Sequence, residues 1–478
     1  MQLTEQQHQI VSYIKDTPEP PIVLVSSIAG SGKTTLLTKI AKSTPHTNGI
    51  YLAYNKSIAT ESKRKFPSTT KCLTTHALAY RSVVVPYKYK LGVFNFRSIT
   101  DKIRYEQKCA LVDSFKEFCL SKFVSFQDYA TEYGVSNVTV KLANKYLSQM
   151  ESGTIDCTHE FYLKFFHILL ATGKIEFDPF DFIMLDEAGD LNEVTLEIFK
   201  LLPSKLKIAV GDPYQNIYAF NHTINCFEVL EDESKLFKMS TSFRVNKQIA
   251  TRIQNFCRAT IDPTMEFIGI ETDQVITTRG FISRTNSALI AKMIELNRDR
   301  TPYGLVRKAS EIFKLPLMIA SMKYQGYLTD PNYKYLQAYY DDWYEDASIR
   351  ATYKTALGYL SAMTEDDFQL AQAIRLLLKH GTKLLFETYR EAANHESGNH
   401  NLTLMTCHSS KGLEMDEIIV DASMNDMLTK EFEAIHTGVT TTSARSYKDA
   451  VNLYYVCCSR AKKSLINANH LDTTNRLV

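Results

Sequence analysis

The sequence predicts an α/β fold, and three segments carry that prediction. Pro21-Ile22-Val23-Leu24-Val25-Ser26 is a short, apolar, β-branched run of the kind that forms a buried strand. It leads straight into Ser27-Ile28-Ala29-Gly30-Ser31-Gly32-Lys33-Thr34-Thr35, after which Leu36, Leu37, Ile40 and Ala41 recur at helical spacing. Farther along, Asp181-Phe182-Ile183-Met184-Leu185-Asp186-Glu187-Ala188 is a second apolar strand that ends in two adjacent carboxylates.

The first two pieces make strand, glycine loop and helix. The loop follows the phosphate-binding pattern GxxxxGK[ST], with Ser27 in place of the first glycine. Gly30 and Gly32 let backbone N–H groups wrap phosphates around Ser31, and the helix that follows presents its positive end. Lys33 is expected on the β- and γ-phosphates and the Thr34 hydroxyl on Mg²⁺, with Thr35 next in the loop. Asp186 would hold the same Mg²⁺ through water, and Glu187 would orient and deprotonate the attacking water. Kinases of small metabolites share this pairing, so these two sites alone do not specify the reaction.

With 478 residues the chain has room for two to four domains with real cores. Its 44% hydrophobic and 23% charged residues are near the globular average, which excludes disordered and collagen-like chains. The apolar runs fall short of the ~18–20 residues a membrane helix needs, and a soluble chain is expected. No secretory signal is readable among residues that include Glu5, His8, Lys15, Asp16 and Glu19. Nine cysteines without a CxxC pair suit buried free thiols in a reducing, cytoplasmic or nuclear compartment, and no zinc site is expected. A net charge of +2 does not by itself announce a nucleic-acid partner, since a footprint depends on local charge.

Further segments narrow the reading. Val210-Gly211-Asp212-Pro213-Tyr214-Gln215-Asn216-Ile217-Tyr218-Ala219-Phe220, Thr406-Cys407-His408-Ser409-Ser410-Lys411-Gly412-Leu413-Glu414 and Tyr455-Val456-Cys457-Cys458-Ser459-Arg460-Ala461-Lys462 closely resemble motifs III, V and VI of the UvrD/Rep-type superfamily 1 DNA helicases. Leu3-Thr4-Glu5-Gln6-Gln7 resembles the Q motif, Ala53-Tyr54-Asn55-Lys56-Ser57-Ile58-Ala59 motif Ia, and Thr74-Thr75-His76-Ala77-Leu78-Ala79 motif Ib. Ser242-Phe243-Arg244 resembles motif IV and Arg284-Thr285-Asn286 the segment beyond it. The motif Ia wording is most similar to the F-box helicase branch, although no F-box is visible.

The resemblance implies two RecA-like P-loop NTPase domains in tandem, each with a mainly helical insertion. Residues 1–84 and 156–224 would form domain 1A, 85–155 insertion 1B, 225–310 and 396–478 domain 2A, and 311–395 insertion 2B. It also implies ATP with Mg²⁺, arginines Arg244 and Arg460 acting on the γ-phosphate, and Gln215 sensing it. Gln7 would meet adenine, Phe243 stack on it and Glu414 reach the ribose. Contacts to single-stranded DNA would come from Tyr54, Asn55, Lys56, Thr74, His76, Tyr218, Phe220, Arg284, Asn286 and His408. The activity implied is 3′–5′ translocation on single-stranded DNA with duplex unwinding at single/double-strand junctions, by a monomer or weak oligomer that works with replication or recombination proteins and no membrane. The alternative is a nucleotide-regulated DNA-binding accessory protein with weak or uncoupled ATPase.

Two departures stand out. Motif II, here Asp186-Glu187-Ala188, is followed by Gly189 where the family usually has Gln, so coupling is either looser or carried by another polar residue. At motif Ia the usual stacking Phe is replaced by Ala53, with Tyr54 beside it. In the first insertion, residues 85–97 interleave aromatic and basic side chains, which suits either a single-strand contact or an edge β-hairpin. Helical periodicity is expected over about 104–123 and 138–149. The tyrosines of the second insertion lie beside acids as often as bases, so a packed helical core is expected there rather than a DNA platform.

Overall fold

The computed structural model describes residues 3–43, 48–217, 223–325, 333–364, 367–396, 400–437 and 444–472. The chain forms two RecA-like α/β units, Met1–Phe243 and Arg244–Val478.

The first unit is built on strands β1 (Ile22–Ser27), β2 (Gly49–Ala53), β3 (Thr70–Thr74) and β4 (Phe182–Asp186), the short β5 (Leu191–Asn192), then β6 (Lys207–Gly211), the short β7 (Thr223–Ile224) and β8 (Ser234–Met239). Six of them make a parallel sheet in the order β3-β2-β4-β6-β1-β8. Every residue of β2 and β4 is buried, as continuous apolar runs require when helices cover both faces. Because the strands are parallel, Ser27, Asp186 and Gly211 all finish at one edge, where open α/β sheets bind ligands.

On one face of that sheet Leu24, Leu52 and Leu185 belong to a continuous core that also takes in Phe115, Phe118 and Tyr146 of the first insertion. The other face packs Val25 and Tyr51 against Leu36, Leu37 and Ile40 of the helix Lys33–Ser43. Each such side chain, fully buried, contributes about 1.5–3 kcal/mol. The insertion helices run Tyr105–Leu120, Phe126–Tyr133 and Asn137–Glu151. Residues 85–97 form no β-hairpin. Leu91 bridges to Cys157 instead, and Phe94 packs on Phe115 and Tyr146 at 4.7 and 5.2 Å between ring centres, which leaves Tyr87, Lys88 and Lys90 exposed.

The boundary expected at residue 225 moves to 244. Residues 234–239 pair along the whole of β1, from Ile22–Ser234 to Ser27–Met239, and so complete the first sheet.

A ribbon of β9 (Thr241–Asn246) and β10 (Ile268–Ile270) leads into the second unit, whose sheet uses β11 (Arg279–Ser283), β12 (Gly304–Leu305), β13 (Leu402–Thr406), β14 (Met415–Val420) and β15 (Ala461–Ile466). They are parallel, in the order β12-β13-β11-β14-β15. The second insertion is helical and shares a core with this sheet, joining Phe281 and Leu404 to Ile319, Leu336, Ile374 and Leu377. Its helix Phe368–Asn394 breaks at Gly381, whose φ of 74° and ψ of 160° are not helical. All nine cysteines are free, and only Cys109 is not fully buried. Among the described residues no helix is long and apolar enough to cross a membrane.

Candidate active site

The phosphate loop is held from both sides. Ser27, at the position of the missing glycine, is buried and donates its hydroxyl to the Gly211 carbonyl at 2.8 Å, tying the end of β1 to the end of β6. From the other side Ile28 N–H donates to Met239 O at 3.2 Å, Ser242 Oγ to Ala29 O at 2.8 Å and Phe243 N–H to Gly30 O at 2.9 Å. Gly30 and Gly32 have φ of +75° and +84°, a region that penalises a Cβ. The Ser31 hydroxyl is buried without a partner among the described residues, an uncommon state for a polar atom and one that an incoming phosphate oxygen resolves.

Lys33 Nζ lies 3.1 Å from Glu187 Oε1. Burial works against its charge, yet Glu187, Asp186 and Asp212 together hold its pKa above the ordinary lysine value. Asp186 is buried, and burial followed by the nearby Glu187 raises its pKa. Its carboxylate accepts the Tyr51 hydroxyl and, at 2.9 Å, the Glu187 N–H. Burial and the Asp186 charge push the Tyr51 phenol far up, so it remains a donor. Glu187 sits at φ 55°, a left-handed conformation that side chains other than glycine adopt rarely and that clusters at functional sites. The Thr34 hydroxyl and the Asp186 carboxylate are hard oxygen donors of the type Mg²⁺ takes. The residues present therefore fit a magnesium nucleotide.

Asp212 orders the loop that follows β6. It is buried, and its two oxygens accept Tyr214 N–H at 3.0 Å and Gln215 Nε2–H at 2.8 Å, while Gln215 N–H donates to Asp212 O at 3.1 Å. Gly189 lies directly under this loop, with room for no side chain in the observed backbone. Tyr218 and Phe220 lie outside the described residues.

At the other end of the loop, Gln7 is fixed by a capping box: Thr4 Oγ1 accepts Gln7 N–H and Gln7 Oε1 accepts Thr4 N–H. Gln7 Nε2 donates to Ser31 O at 3.3 Å. A Cβ on Gly32 would lie 3.1 Å from Gln7 Nε2 and 3.8 Å from the Phe243 ring, so the two side chains expected at adenine converge on one spot. Phe243 is 38% exposed. Sequence reasoning missed Gln6, which brackets Ser240 with hydrogen bonds of 2.8 and 3.3 Å, and missed Tyr51 and Asp212. Gln6 and Asp212 stand inside the Q motif and motif III, whereas nothing local distinguishes Tyr51 from any strand aromatic.

In the second unit Arg244 Nε donates to Glu414 Oε2 at 2.6 Å, which pairs two residues expected at the nucleotide. Arg460 is 2% exposed, and its guanidinium donates to Val456 O at 3.0 Å and Ser459 Oγ at 3.3 Å.

Of the residues expected on DNA, Tyr54 is 41% exposed while Ala53 is buried at the end of β2, so Tyr54 is the aromatic available at motif Ia. Asn55 and Thr74 cap helices, accepting Ile58 N–H at 2.9 Å and Ala77 N–H at 3.1 Å, and Lys56 is exposed. His76 meets the edge of Tyr162 at 5.9 Å, and burial lowers its pKa. In the second unit His408 opens a short turn after β13, and Arg284 follows β11 with its N–H on Ser423 Oγ at 3.0 Å. The Asn286 Oδ1 is buried without a partner among the described residues.

A family model described as an AAA domain matches residues 7–221, and one described as a UvrD-like helicase C-terminal domain matches residues 362–470. The chain is similar to F-box DNA helicase protein 1 of Schizosaccharomyces pombe, 23% identical over 530 residues that take in 97% of this chain and 57% of that protein. It is also similar to F-box DNA helicase 1 of Gallus gallus, 23% identical across 99% of this chain and 49% of that protein. The chain spans about half the length of these curated relatives. Two family models in order, on two parallel-sheet units that carry the motifs at their strand ends, lead to one assignment: the chain belongs to the UvrD-like superfamily 1 helicases and is related to their F-box DNA helicase branch.

Proposed function

We propose that the chain is an ATP-dependent DNA helicase that translocates 3′–5′ on single-stranded DNA and unwinds duplex at junctions. The observation that carries this reading is the meeting of Lys33, Asp186, Glu187 and the Asp212–Gln215 loop at one sheet edge beside an unpartnered Ser31 hydroxyl. In this reading Lys33 exchanges Glu187 for phosphate oxygens when nucleotide enters, which frees Glu187 to orient water and accept its proton. Thr34 and Asp186 would hold Mg²⁺, which supplies positive charge against the phosphates when bound. Gln7 and Phe243 hold the base, and Gln215 reports the γ-phosphate from a loop clamped by Asp212. Arg244 and Arg460 are proposed to stabilise charge on the transferring phosphoryl group. Tyr54, Lys56, His76, Arg284, Asn286 and His408 are proposed to hold DNA.

Gly189 favours a second reading, a DNA-binding accessory protein with weak or uncoupled ATPase, because the amide usual in motif II is missing. ATP hydrolysis measured with and without single-stranded DNA separates the two: strong stimulation supports the motor, and none supports the accessory protein. Unwinding of duplexes with a 3′ or a 5′ tail tests the direction.

A further inference from the structure

A cleft of about 540 Å³ opens in the second unit between the start of the helix Asn286–Arg298, the first half of the helix Phe368–Asn394 and the helix Ala422–Thr437. Four cations line it, Arg284, Arg375, Lys379 and Lys430, against two carboxylates, Asp426 and Glu431. Among the described residues none of the four is in a salt bridge or donates a side-chain hydrogen bond to a carboxylate. Cations gathered in a concave surface without partners focus a positive field there. Arg284 is largely buried, yet a guanidinium keeps its charge. His380 lines the same cleft with its Nε2 buried and unpartnered among the described residues.

The insertion contributes more than charge. Phe368, Gln372, Arg375 and Lys379 follow one another at i, i+4, i+7 and i+11, a single face of the helix, and all four line the cleft. Phe368 is 51% exposed. Two residues past Lys379, the helix breaks at Gly381. An exposed aromatic beside a row of unpaired cations is the combination that holds single-stranded nucleic acid: bases stack on the ring, and phosphates follow the charges.

We propose that this cleft is a single-stranded DNA contact in which the second insertion takes part, with Phe368 stacking on a base and Arg375 and Lys379 on neighbouring phosphates. It rests on the reading that the chain acts on DNA. It also reverses the expectation that the second insertion offers no DNA platform. The insertion does have a packed core, and one exposed helix face turns toward Arg284.

The test measures binding of the full chain to a fluorescent oligo(dT) of twenty nucleotides across a salt series, without nucleotide, together with thermal melting. For Arg375→Gln/Lys379→Gln, loss of two phosphate contacts should reduce the slope of log affinity against log salt by roughly 1.4, at about 0.7 per contact on single strands. Phe368→Ala should weaken binding roughly tenfold with the slope unchanged. Both variants should melt as the unaltered chain does. If the unaltered chain binds oligo(dT) and its ATPase is stimulated, but both variants bind as it does, the cleft is not a contact and the helicase reading stands. If only duplex binding falls in the variants, the single-stranded occupant is wrong. Failure of the unaltered chain to bind oligo(dT) overturns both readings.

Discussion

A Cβ built on Gly189 would stand 2.4 Å from the carbonyl oxygen of Asp212, far inside van der Waals contact with rigid backbone. Asp212 in turn holds Tyr214 N–H and the Gln215 amide. The departure in motif II is therefore a seat for the loop that holds Gln215, the residue proposed to sense the γ-phosphate. Gly189→Gln, which restores the residue usual in the family, should push that loop away and lower kcat for ATP by roughly ten- to a hundredfold, since displacement of a positioning group by about 1 Å is that costly. Steady-state turnover with single-stranded DNA checks this. A rise in turnover would show that the missing amide limits coupling.

Lys33 and Glu187 form the central ion pair of the site. Glu187→Gln should lower ATP hydrolysis by about 10²–10⁴-fold, the range for loss of a general base, while a fluorescent nucleotide still binds. Lys33→Ala should lose binding and turnover together, and it leaves Asp186 and Glu187 side by side without their cation. Wild-type hydrolysis by Glu187→Gln would remove Glu187 from the mechanism.

Phe243 and Gln7 should separate on melting. Phe243→Ala removes a ring that is 38% exposed, so KM for ATP should rise roughly tenfold, within the ~1–3 kcal/mol of an aromatic–base stack, with the melting temperature unchanged. Gln7→Ala should also raise KM, but it breaks the capping box and the bond to Ser31 O, at a stability cost of about 1 kcal/mol. A Phe243→Ala variant that melts early with normal KM would make Phe243 a structural residue.

Lys164 gives the fold a measurable pH dependence. It is 1% exposed and donates to the Ser121 and Phe123 carbonyls at 2.7 and 2.6 Å, which fixes the turn between two insertion helices. Burial lowers its pKa from 10.5 to about 8. Burial, and then Lys164, lowers the pKa of the neighbouring His167 to about 3, so that ring is neutral. Between pH 8 and 10.5 the unfolded chain binds the Lys164 proton and the folded chain does not, so stability rises with pH across that window. A neutral amine still has two hydrogens for its two carbonyls. Relative to Lys164→Met, the unaltered chain should gain about 3 kcal/mol from pH 8 to 10.5, measured by denaturant unfolding. A gap that stays constant would show that Lys164 does not titrate there.

Local spacing was enough to read the strand, loop and helix around Lys33 and the strand that ends in Asp186, because these pieces are neighbours in the chain and their spacing dictates their geometry. It also singles out Gln7, Phe243 and Gln215 as candidates, through motifs whose wording is local. Adjacency between distant segments came from the packed fold alone. Strand order in a parallel sheet is not written in any one stretch of sequence, so nothing local showed that Ser27 would close on Gly211, that Tyr51 would meet Asp186, or that residues 234–239 would pair with β1 and carry the boundary to 244. The close approach of the Asp212 carbonyl to Gly189 likewise joins two segments remote in sequence. The face formed by Phe368, Arg375 and Lys379 became visible only where three helices enclose it. Side chains acquire these roles from the packing of elements remote in sequence, and that packing is decided by the burial of whole faces.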